Sequence, residues 1–102
     1  MTDKIKYETI EGYVMLDFFT VSCLPCKMLE PVLESLERQW PQIKFIRIDC
    51  DVDKDAVSKY QIQSVPTLIL LHNNKLLKRF DGFAPEGMID RILRKLINDD
   101  EK

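Results

Sequence analysis

Tyr13-Val14-Met15-Leu16-Asp17-Phe18-Phe19-Thr20-Val21-Ser22-Cys23-Leu24-Pro25-Cys26-Lys27 is the stretch that decides how this chain folds. Its first seven residues are apolar, aromatic or β-branched apart from Asp17, which predicts a buried strand over Tyr13–Phe19. From Cys23 the period changes. Met28, Leu29, Val32, Leu33 and Leu36 form a helical stripe, with Glu30, Glu34, Glu37 and Arg38 on other faces. Pro25 falls in the first turn, where a missing N–H costs nothing, whereas Pro31 falls inside the helix and predicts a kink. The two cysteines therefore stand where a strand ends and a helix begins. Unpaired N–H groups and the helix dipole at such a terminus favour a thiolate. A thiolate attacks disulfides, and a second thiol one turn on can resolve the mixed disulfide. The pattern implies thiol–disulfide exchange.

Working outward, Ile5 and Tyr7 alternate with charged residues, which predicts a short edge strand over residues 4–8 before Gly12 breaks the chain. A third strand is expected over residues 43–50. Asp53 can cap a short helix containing Ala56, Val57 and Tyr60. Residues 67–71 (Thr-Leu-Ile-Leu-Leu) read as a strongly apolar strand, and Asn73-Asn74 as a two-residue hairpin turn returning through an antiparallel edge strand over residues 75–80. Pro85 opens a last helix with Met88, Ile89, Ile92, Leu93, Leu96 and Ile97 on one face. The order β, β, α, β, α, β, β, α predicts an α/β fold with a central mixed sheet flanked by helices. Strand–helix–strand units imply parallel pairing, and the hairpin adds an antiparallel end. The cysteine pair then lies at the carboxyl end of a central strand, where open α/β sheets place their sites.

The 102 residues suit one domain, expected over residues 1–102. With 45% hydrophobic and 31% charged residues the balance is that of an ordinary globular chain, and a net charge of −2 gives no reason to expect nucleic acid or an acidic membrane as partner. No apolar run is long enough to span a membrane. The N-terminus lacks the apolar stretch of a secretory signal, so the cytoplasm is the expected location. Three cysteines do not make a disulfide scaffold. Zinc stays open as a reading of the pair, but structural sites use four ligands in paired motifs, and Cys50 and His72 lack that spacing. No feature requires an oligomer.

Several separated motifs together resemble the thioredoxin family over about residues 13–98. Asp17 stands six residues before the first cysteine, as a buried acid does in that family. Ser22-Cys23-Leu24-Pro25-Cys26-Lys27 is similar to its Trp-Cys-Gly-Pro-Cys-Lys active site. Pro31 matches a kinking proline, and Arg47-Ile48-Asp49-Cys50-Asp51 the strand Lys-Val-Asp-Val-Asp. Val65-Pro66-Thr67 matches the loop bearing the family's cis-proline, and Gly82 a glycine lining the substrate groove.

The resemblance implies a thioredoxin fold with a shortened N-terminal βα segment, and a dithiol–disulfide oxidoreductase that reduces protein disulfides without metal or organic cofactor. Cys23 would be the exposed nucleophile, with its pKa lowered by the helix start, and Cys26 the shielded resolving thiol. Asp17 would accept or relay the Cys26 proton, a role that needs a carboxyl whose pKa burial has raised. Substrate would meet Leu24, Pro25, Val65, Pro66 and Gly82, with the Val65 backbone pairing an extended segment. A thioredoxin-reductase-like donor would recycle the couple, and a monomer suffices. If Arg47 takes the place of the family lysine, it would lie near Asp17, hold that pKa lower and, unlike lysine, keep its proton; otherwise it is a surface charge.

The chain departs from the family at Ser22 and Phe19, which replace indoles, and at Leu24, which replaces a glycine. With no histidine between the cysteines, a reducing or weakly reducing couple is expected. Cys50 reads as a small core hydrophobe, with an accessory thiol as the lesser alternative. His72 reads as a solvated strand end, and Trp40 as a packing residue at a helix end. Two other functions remain in view. One is a binding module that uses the Val65–Pro66 groove. The other is a redox-linked metal-handling protein that uses Cys23, Cys26 and Cys50.

Overall fold

β1 (Tyr13–Phe19) lies in the interior of the sheet because both of its faces are apolar. By alternation, Tyr13 and Met15 enter one buried cluster, while Val14, Leu16 and Phe18 enter the other on the opposite face. A computed structural model describes residue 7 and residues 9–100. After β1 come α1 (Leu24–Gln39), β2 (Ile43–Asp49), α2 (Lys54–Lys59), β3 (Thr67–His72), β4 (Lys75–Asp81) and α3 (Glu86–Asp100). The sheet order is β2-β1-β3-β4.

α1 and α3 cover the face bearing Met15, with Leu29, Leu33 and Leu36 of one helix and Ile89, Leu93 and Ile97 of the other in a common cluster. Pro25 sits in the first turn of α1, and the helix continues through the exposed Pro31. Trp40 ends it, with its N–H donating to the Leu36 carbonyl at 2.8 Å and its indole Nε1 donating to Asp90 at 2.9 Å. Ser35 and Gln39 both reach Glu86, so the two helices are pinned side by side.

The opposite face carries α2, whose N-cap Asp53 accepts from the Ala56 N–H at 3.0 Å. Parallel pairing holds for β1 with β2, but β3 runs antiparallel to β1. The reason is length. At about 1.5 Å per residue, a six-residue helix cannot carry the chain back along a strand that rises about 3.3 Å per residue. The connection from β2 to β3 therefore stays at the carboxyl end of β1. The hairpin forms as the sequence suggests. Asn73 and Asn74 hold φ of 50° and 68°, the left-handed pair that suits a two-residue turn between twisted strands.

Two expectations need correction or restriction. His72 is not a solvated strand end. It is half-buried and stacks on Tyr13 across the antiparallel pair, with ring centroids 4.3 Å apart, because the register sets the two residues opposite each other. The edge strand over residues 4–8 and the shortened first helix lie outside the described residues except at Tyr7, which has helical backbone and is buried against Tyr60.

Candidate active site

Cys23 is the N-cap of α1. Its backbone is extended, and its Sγ accepts the N–H of Cys26 at 3.1 Å. An N-cap normally uses a side-chain oxygen for this bond; here a sulfur satisfies one of the orphan donors of the helix start. Cys23 and Cys26 are joined as a disulfide with Cα atoms 5.2 Å apart. The two sulfurs are not equivalent. Cys23 is half-buried at the end of the helix, while Cys26, one turn on, belongs to the buried stripe and is 4% exposed. Leu24 and Pro25 between them are exposed, Leu24 by 66%.

The β1–β3 register pairs Phe18 with Thr67, so Val65 and Pro66 lie just past the sheet at the end where Cys23 follows β1. The Val65–Pro66 peptide is cis, and Pro66 is buried. Gly82 holds a φ of +88° and donates its N–H to the Pro66 carbonyl at 2.8 Å, which ties the end of β4 to this loop.

Asp17 shares the parity of Met15, so its side chain enters the sheet face under α1, where only 5% of it is exposed. Arg47 stands opposite it in the β1–β2 register and donates from Nε to the Asp17 carboxylate at 3.3 Å. The same guanidinium donates from its terminal nitrogen to Glu30 at 3.2 Å and lies 4.1 Å over the Phe19 ring. Burial pushes the Asp17 carboxyl above its usual value. The charge and hydrogen bond of Arg47 pull it back, and the charge of Glu30 adds to the rise. Arg47 does lie beside Asp17, then, but desolvation outweighs it.

Cys50 is half-buried beside the α2-face cluster, and its N–H donates to the Phe19 carbonyl at 2.9 Å. Burial and then the neighbouring Asp49 and Asp51 charges raise its thiol pKa, which disfavours a thiolate there. Among the described residues, no group of three or more His, Cys, Asp and Glu side chains is placed to hold a metal ion, and no helix is long and apolar enough to cross a membrane.

The fold therefore gathers the candidate residues into three small groups: the Cys23–Cys26 pair, the Pro66–Gly82 contact, and Asp17 with Arg47. The Asp17 carboxyl hydrogen-bonds Arg47 rather than a cysteine. Glu30, placed by its sequence on a polar helix face, was missed as part of the third group. Its spacing carried a usable signal, because a residue four positions after Cys26 lies on the same side of the helix.

The thioredoxin family model matches residues 3–95. The chain belongs to the thioredoxin family. It is 36% identical over 89 residues to thioredoxin of Bacillus subtilis, covering 86% of each chain. It is also 36% identical over 84 residues to thioredoxin of Chlamydia trachomatis, covering 82% of each. Among solved structures, thioredoxin from Trypanosoma brucei brucei superposes with a TM-score of 0.86 at 28% identity, over 96% of this chain and 86% of that one. A mutant thioredoxin from Halobacterium salinarum does so with a TM-score of 0.84 at 28% identity, over 94% and 84%. With its cysteine pair, this thioredoxin-family chain is a thiol–disulfide oxidoreductase, a protein disulfide reductase whose substrates are disulfide-containing proteins.

Proposed function

We propose that Cys23 is the nucleophile and Cys26 the resolving thiol of this reductase. The observation that carries the reading is the asymmetry at the start of α1: the half-buried Cys23 sits on the helix N-terminus with its sulfur accepting the Cys26 N–H, while Cys26 is buried. In the dithiol state, the N–H bond and the helix dipole both favour negative charge on Cys23. Its thiolate attacks one sulfur of a substrate disulfide, the substrate S–S bond breaks, and the first substrate thiolate leaves. Cys26 then attacks the Cys23 sulfur and gives up its proton, with Asp17 as the acceptor. The second substrate thiolate departs, and the Cys23–Cys26 bond forms. Two electrons have passed from protein to substrate.

Leu24, Pro25, Val65, Pro66 and Gly82 form the docking surface. The Val65 backbone receives an extended segment as an added strand. A thioredoxin-reductase-like dithiol donor returns the couple to its reduced state. The protein works as one domain over residues 1–102, as a monomer in the cytoplasm, with no metal or organic cofactor.

The test is the reduction potential of the Cys23–Cys26 couple in glutathione and dithiothreitol buffers, read by mass spectrometry, together with trapping by Cys26→Ser. A potential near about −270 mV and a one-to-one mixed disulfide through Cys23 support the reading. A potential above about −180 mV would make the protein an oxidant or isomerase. Absence of a reversible couple would leave a binding scaffold.

A further inference from the structure

Two recesses open beside the sheet under α1. One is lined by Cys26, Lys27, Phe19 and Thr20, the other by Asp17, Leu33, Phe45 and Ile46, and Glu30 and Arg47 line both. The Glu30–Arg47 ion pair thus borders both the recess of the resolving cysteine and that of the carboxyl that would take its proton. The guanidinium is held from three sides, by Asp17 at 3.3 Å, by Glu30 at 3.2 Å and by the Phe19 ring at 4.1 Å. Of these tethers, Asp17 and Phe19 belong to β1, and Glu30 alone comes from the helix that carries the cysteines.

We infer that Glu30 is a positioning residue for the resolving step: through its ion pair it holds the Arg47 guanidinium beside Asp17 and divides that one positive charge between two carboxylates. The inference rests on the proposed role of Asp17 as proton acceptor. Removing the Glu30 charge acts twice in the same direction. Arg47 is released to bind Asp17 fully, and a negative neighbour of Asp17 disappears. Both favour the carboxylate over the acid. Removing the Arg47 charge acts in the opposite direction. The other ionisable groups around Asp17 are Glu34 and Glu37 of α1, which line its recess, Lys27 in the Cys26 recess, and Cys50 beyond β2. None of them hydrogen-bonds its carboxyl.

The chemistry can be followed with 5,5′-dithiobis(2-nitrobenzoate) and the reduced protein. Cys23 attack releases one thionitrobenzoate and leaves the other bound to Cys23. Cys26 then passes its proton to Asp17 as its sulfur bonds Cys23, and the Cys23–thionitrobenzoate bond breaks to release the second thiolate. The two protein thiols are oxidised and the reagent is reduced. The second release is the resolving step. Its pH profile is measured in the wild type, Glu30→Gln, Glu30→Asp, Arg47→Gln and Asp17→Asn, and a carbon-13 NMR titration of the Asp17 carboxyl is made in all of these but the last.

Both midpoints are expected to move to lower pH in E30Q and to higher pH in R47Q, with E30D returning toward wild type. Midpoints unchanged in E30Q, while D17N still slows the second release, would overturn the role of Glu30 and leave that of Asp17 standing. A second release in D17N identical to wild type at every pH would overturn the Asp17 reading, and the positioning role with it. A fall in rate in E30Q without a midpoint shift would also overturn the inference, since it would report damage to packing alone.

Discussion

Replacing Asp17 by Asn should make the protein more stable at pH 8 and leave it unchanged at pH 3. The carboxyl is 5% exposed and its ion-pair partner Arg47 is 50% exposed, so the attraction is screened as in a surface pair, about 0–1 kcal/mol. Against this stands the cost of an imperfectly satisfied buried polar group, about 1–3 kcal/mol and more when charged. The raised pKa shows which side wins. Because the folded chain holds the Asp17 proton more tightly than the unfolded chain, this group's contribution is fully present below the usual value of 3.8. It is lost as the pH rises through the folded-state pKa. Asn keeps the shape and an oxygen for Arg47 while removing the charge. The expected gain at pH 8 is about 1–2 kcal/mol, which raises the melting temperature by about 4–8 °C per kcal/mol in a domain of this size. Urea and thermal unfolding of the oxidised form, followed by circular dichroism at both pH values, measure it. Equal effects at pH 3 and pH 8, or a loss of stability at pH 8, would refute the argument that desolvation of Asp17 outweighs Arg47.

Two further outcomes follow from the geometry. Gly82→Ala should cost about 1–2 kcal/mol in urea unfolding. A Cβ there meets no atom within 4 Å, so the loss comes from the φ of +88° alone, and an unchanged unfolding midpoint would contradict it. Trp40, the chain's one tryptophan, ends α1 fourteen residues after Cys26, about 21 Å along the helix axis. Its fluorescence should therefore be the same in the disulfide and dithiol states. A redox-dependent emission would mean that the state of the pair is transmitted along α1.

Much of this architecture could be read from local pattern. The apolar, aromatic and β-branched run from Tyr13 reads as a strand, and the stripe of Leu29, Leu33 and Leu36 as a helix, because its period is helical. Asn73 and Asn74 together announced their turn, and Asp53 its cap, since each bond is made within a few residues. The antiparallel direction of β3 was not accessible in this way. It depends on how far α2 reaches, and helix boundaries are set by packing as much as by propensity. His72 went astray for a related reason, because its neighbour Tyr13 is 59 residues away and meets it only through strand register.

The site divides along the same line. The sequence by itself determined the two cysteines at a strand-to-helix junction, the proline in the first turn, the acid inside an apolar strand and the Val65–Pro66 loop. Each of these is a short-range feature whose chemistry travels with its residue type. The tertiary structure settled which of the two readings of Arg47 holds by setting it opposite Asp17, and alone decided that Glu30 takes the other side of the same guanidinium and that burial outweighs Arg47 in setting the acid's charge. Those facts depend on a balance between desolvation and the charges that three separate elements bring together, and that balance exists only once β1, β2 and α1 are packed.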